Sequence, residues 1–131
     1  MATAIDVVRA AFAALDAGDM AGATAAFAPS LVYRLHGEHP LAGEFDGKAA
    51  ALGALARLAQ AGGAGTTLRL ADAWPAGPEL VVAHLVRRAG AGAGPVDVAT
   101  IRRVEDGSVT EIVSVSSRAV DDYWARAATD R

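Results

Sequence analysis

The second half of the chain carries four stretches of strand composition in succession, at roughly 66–74, 79–89, 95–104 and 108–117, joined by connections too short to hold a helix. Pro75-Ala76-Gly77-Pro78, a Gly-Ala loop and Asp106-Gly107 are all turn material. Parallel neighbours need a crossover of about a dozen residues or more, so these four segments must run as an antiparallel meander. That run excludes the alternating strand and helix of a parallel α/β sheet.

The first half has the opposite period. Thr3 with Asp6 three residues later resembles a capping box, and Ile5, Val8, Phe12 and Leu15 then repeat at helical spacing until Gly18. Asp19 can cap a second short helix with Met20, Ala23 and Phe27 on one side, ended by Pro29. LVYRLH (31–36) reads as a strand, and GEHPLAG after it as an elbow. Asp46 can cap a third helix with Leu52, Leu55 and Leu58 on one face, stopped at Gly62-Gly63. Asp121 to Ala127 reads as a short C-terminal helix or tail. At 131 residues one core is expected, hence a single domain over 1–131: an α+β, cone-shaped roll in which a curved, mostly antiparallel sheet is wrapped by three N-terminal helices around a pocket.

Composition narrows the chemistry. The chain has no cysteine, which excludes thiolate and disulfide chemistry. A net charge of −3 without a basic stripe argues against nucleic acid as a partner. The apolar runs are too short to span a bilayer and the N-terminus lacks the basic head of a secretory signal, so the expected location is the cytoplasm, with no membrane contact. GAGAG lacks the strand-to-helix context of a dinucleotide fingerprint, and no cofactor is expected.

Three segments, LDAGDMAGATAAFAPSLVYRLHGEHPLAGEFDGKAAAL, VDVATIRRVEDGSVTEI and AVDDYW, resemble the nuclear transport factor 2-like superfamily, and within it the SnoaL-like polyketide cyclases. The resemblance spans nearly the whole chain and speaks for fold more than function. Ketosteroid isomerases of that superfamily use a carboxylate base on the first long strand, with a helix-one tyrosine and a strand carboxylic acid as oxyanion donors. Ala11, Leu35 and Thr100 fall at those places, so that mechanism is not expected. No carboxylate-arginine relay of the epoxide hydrolases is visible either: Arg102 and Arg103, before Val104-Glu105-Asp106, read as solvent-facing hairpin charge.

By alternation His84 shares a face with Leu80, Val82 and Val86, and the resemblance turns that face toward the cone. A desolvated histidine is neutral and can accept a proton, which makes His84 the candidate base. The same position also fits a hydrogen-bonded core histidine. Tyr33, on a face with Leu31 and Leu35, is the candidate donor, although a one-residue slip would turn Arg34 and His36 inward instead. Leu35, His36, His39, Trp74, Thr100, Ile112, Ser114 and Ser116 complete the expected ligand-binding set. His36 and His39 on one turn lack a third ligand, so no metal is expected. Asp97 falls on the opposite face from Thr100 and reads as exposed. Two functions stay open: a cofactor-independent enzyme of cyclase or isomerase type acting on an apolar carbonyl or polyketide-like compound, or a non-catalytic binding or assembly module. Both imply a small apolar molecule in the cone, and the resemblance implies a homodimer through the sheet.

Overall fold

The computed structural model describes residues 3–62, 67–88, 95–115, 117–119 and 121–122. Helix α1 spans Ala4–Asp16, and its start is the reciprocal capping box: Thr3 Oγ1 accepts from the Asp6 amide while Asp6 accepts from the Thr3 amide. The short helix α2 (Met20–Thr24) is capped by Asp19, whose carboxylate accepts from the Gly22 amide at 2.9 Å. Strand β1 (Phe27–Leu35) follows, then β2 (Gly43–Asp46), helix α3 (Lys48–Gly62), and strands β3 (Thr67–Pro75), β4 (Leu80–Arg88), β5 (Val96–Glu105) and β6 (Ser108–Val115).

Two boundaries differ from the sequence-based expectation. Phe27 opens β1 instead of closing α2, and the strand carries Pro29 across an irregularity between Phe27 and Val32, where a missing amide donor breaks no ladder. Part of the elbow, Gly43–Asp46, pairs with β1 as an extra strand, so Asp46 ends a strand before α3. The expected helix or tail over 121–127 lies mostly outside the described residues.

The six strands form one curved sheet, not closed into a barrel, in the order β2-β1-β6-β5-β4-β3. Only the β1–β6 pair is parallel; the others are antiparallel. The β5–β6 turn uses Asp106 and Gly107, both at positive φ (51° and 79°), the geometry that suits a two-residue hairpin.

One face of this sheet carries the core. Val8 and Phe12 of α1 and Ala51, Ala54 and Leu58 of α3 cover Leu31, Tyr33 and Leu35 of β1, Val81, Ala83 and Leu85 of β4, and Val96, Val98 and Val104 of β5. In α3 the small alanines face the sheet while Leu52 and Leu55 are only half-buried, which lets the helix approach closely. No helix among the described residues is long and apolar enough to cross a membrane.

Candidate functional site

Register decides which polar side chains enter the covered face. Tyr33 on β1 pairs with Ile112 on β6, which pairs with Arg102 on β5. One step along, Leu35 pairs with Ser114, which pairs with Thr100. Six residues therefore form a contiguous patch across three strands on the concave, helix-covered side. Tyr33, Leu35, Thr100, Ile112 and Ser114 are all buried. The open choice of register in β1 is thus settled: Tyr33 and Leu35 point inward, while Arg34 ion-pairs with Glu44 and Glu111 on the other face.

Arg102 overturns its expected role as hairpin charge. Its guanidinium lies over the Phe12 ring at 4.8 Å and the Phe27 ring at 5.8 Å. Nε and Nη1 are buried and have no hydrogen-bond partner among the described residues, as is true of Thr100 Oγ1. Burial pulls the Arg102 pKa down to about 10, opposed by the neighbouring Tyr33, so the group still carries its charge at neutral pH. Burial also pushes the Tyr33 phenol above its usual value, against the pull of Arg87 and Arg102 and a hydrogen bond with Ser114. At neutral pH Tyr33 is therefore a protonated donor. Arg87, inward by the parity of Val81, Ala83 and Leu85, is a second cation that this face brings to bear on Tyr33.

His84 is corrected in the same way. Ala83 is the partner of Thr100, so the face holding Thr100 takes Ala83 and excludes His84. The imidazole sits on the convex side, 41% exposed, with Nε2 at 2.9 Å from Asp97 Oδ1. Trp74 also faces outward, 46% exposed, opposite Val82. Asp97 is exposed, as its parity required.

The elbow forms a separate place. An open recess of about 330 Å³ is lined by Arg34, Leu35, His36, Gly37, Gly43 and Glu44. His36 is exposed at its edge; His39 is half-buried beside it, with Nδ1 accepting from the Leu41 amide at 3.2 Å. Burial lowers the His39 pKa, opposed by Asp121 and by a hydrogen bond that the ring donates to the His36 backbone. Gly37, at φ 141°, leaves no space for a side chain: a Cβ there would fall 2.4 Å from the Asp121 carboxylate and 2.6 Å from the His39 ring. Among the described residues no three His, Asp or Glu side chains are grouped to hold a metal ion. Ser116 lies outside the described residues.

The fold and the patch define a cone-shaped α+β roll with hydrogen-bond donors on the concave side of its sheet. The chain belongs to the SnoaL-like domain family, which matches residues 8–112. No curated protein matches it. Among solved structures it is similar to TerC co-crystallised with polyporic acid (20% identity over 93% of this chain and 97% of that one, TM-score 0.76). It is also similar to a nuclear transport factor 2-like protein from Burkholderia thailandensis (22% identity, 96% and 98% covered, TM-score 0.76). A third is a protein from Sinorhizobium meliloti provisionally assigned as a polyketide cyclase (18% identity, 84% and 94% covered, TM-score 0.68). At these identities the likeness establishes the fold alone.

Proposed function

We propose that the chain is a small-molecule-binding SnoaL-like domain that holds an apolar, oxygen-bearing compound against the concave face, with Tyr33, Thr100, Arg102 and Ser114 directed at its oxygens. The observation that carries this reading is the buried, unpartnered state of Arg102 Nε and Nη1 and of Thr100 Oγ1 in one patch. Buried polar atoms are nearly always satisfied, and orphans that share a concave surface point to a ligand. The apolar neighbours Leu35, Val81, Val98 and Ile112 suit the rest of such a molecule. TerC, of the same fold, was crystallised with polyporic acid, and the Sinorhizobium neighbour carries a polyketide cyclase assignment; both are in keeping with a ring compound rich in oxygens.

The patch favours binding over cyclase or isomerase catalysis for one reason. Its donors can stabilise negative charge growing on a carbonyl oxygen, which is half of an enolisation. The other half needs a proton acceptor, and the strand carboxylates Glu44, Asp46, Asp72, Asp97 and Glu111 all pair or point on the convex side, with His84. Native mass spectrometry of the protein from its own host tests the reading: one equivalent of a small molecule should appear, and be lost in Thr100→Val/Ser114→Ala. Protein that is empty as purified, and stays empty after exposure to host extract, would contradict it.

The convex face supports a second copy of the chain as partner. Trp74, Val82, Ile101 and Val113 are successive cross-strand neighbours and form an apolar row over four strands. Light scattering should give a dimer, converted to a monomer by Trp74→Arg/Ile101→Arg; a wild-type monomer would remove the proposal.

A further inference from the structure

We infer that the compound held on the concave face is an anion, an apolar acid whose carboxylate or ionised enol oxygen takes the unpaired donors of Arg102. The inference rests on the binding reading above and adds the charge of the ligand. Apart from Arg87 and Arg102, every described arginine has an evident answer to its charge or an exposed position: Arg34 and Arg103 meet glutamates, Arg57 lies exposed over Phe45, and Arg9, Arg69, Arg88 and Arg118 are exposed. Arg87 has interactions of its own. The Nε and Nη1 atoms of Arg102 are buried and have no acceptor among the described residues.

Its immediate surroundings do not cancel the charge. The Phe12 and Phe27 rings attract the cation through their faces but offer no lone pair to its N–H groups. Tyr33 is a neutral phenol at working pH, and Arg87 adds positive charge to the same face. A trapped water would accept a hydrogen bond yet leave the charge uncompensated, whereas burying a cation is tolerable chiefly when an anion pairs with it. A ligand oxygen bearing full negative charge answers both needs, and hydrogen bonds between ionised groups are the stronger kind.

Titration calorimetry near neutral pH with two matched probe pairs tests this: 2-naphthoate against 2-naphthalenemethanol, and 2-hydroxy-1,4-naphthoquinone against 1,4-naphthoquinone. The first pair isolates a carboxylate, the second an acidic enol. In at least one pair the anion should bind at least about tenfold more tightly than its neutral partner. Arg102→Met should bring that ratio within about twofold, and Arg102→Lys, which keeps the charge, should retain part of it, with circular dichroism confirming that both variants fold. Neutral probes that bind wild type as tightly as the anions, or a preference that persists in Arg102→Met, would overturn the inference while leaving the binding reading intact. Failure of all four probes, together with protein that purifies empty from its host, would overturn both.

Discussion

Arg102 and Arg103 are neighbours in the chain and occupy opposite worlds. Arg103 stands on the convex side, half-exposed, with Glu79 at 3.6 Å and Glu111 at 3.9 Å. Arg102 stands on the concave side among aromatic rings, its Nε and Nη1 without an acceptor among the described residues. The convex face settles its charges by itself: Arg34 with Glu44 and Glu111, Arg103 with Glu79 and Glu111, and His84 with Asp97. The concave face does not. Exposed pairs are worth little to stability, whereas an uncompensated buried cation is a standing penalty that a ligand can remove. The difference locates function on the side where the electrostatics are unfinished.

The contrast between faces gives its largest effect in packing. Leu85→Ala empties the core side and should destabilise by about 2–5 kcal/mol in chemical denaturation. Its outward neighbour Val86→Ala should stay under about 1 kcal/mol, and equal losses would mean the convex face is also covered in the isolated chain.

The two arginines come next. With the Arg102 pKa drawn by burial down to about 10, the folded state binds its proton less tightly than the unfolded state does. The penalty is therefore fully present below about pH 10 and is progressively relieved as pH rises above it. Arg102→Met should raise the stability of the ligand-free protein at neutral pH by roughly 1–3 kcal/mol. Arg103→Met should lower it by less than about 1 kcal/mol. Two losses of similar size would erase the distinction. Tyr33 acts in the opposite sense: with its folded pKa raised, its contribution is present below the unfolded value near 10 and is lost above it. Tyr33→Phe should accordingly flatten the decline of stability in strong alkali. The smallest effect belongs to the convex pair, where Asp97→Asn should change stability by about 0.5 kcal/mol or less and leave probe binding unaltered. Weakened binding there would place His84 and Asp97 in the ligand's reach after all.

How far these faces were legible in the sequence can be argued strand by strand. The order of elements, the capping box at Thr3 and the Asp106-Gly107 turn are local chemistry and could be read directly. The inward placement of Thr100 and Ser114 followed from the family resemblance, whereas the face of β1 stayed open between Tyr33 with Leu35 and Arg34 with His36. The face of β4 could not be read from its own residues, because Leu80, Val82 and Val86 are as apolar as Val81, Ala83 and Leu85, and alternation does not choose between two apolar sides. Pairing chooses, by setting Ala83 against Thr100. Arg102 was accessible by parity: if Thr100 points inward, so does the residue two positions on. The dipeptide Arg102-Arg103 near a hairpin masked that step, since paired arginines at a turn usually meet water. Strand β2 leaves no mark in the sequence because Gly43–Asp46 is short and has no hydrophobic alternation; its pairing to β1 forms it.

Buried at Nε and Nη1, the Arg102 guanidinium has no counter-charge among the described residues, and thermal denaturation of the ligand-free protein with and without Arg102→Met tests this most directly. A higher midpoint for the variant at neutral pH, with the gap narrowing above pH 10, is the predicted result. A lower midpoint at every pH would mean that the guanidinium already has a partner within the fold, and the concave patch would then have no charge left for a ligand to answer.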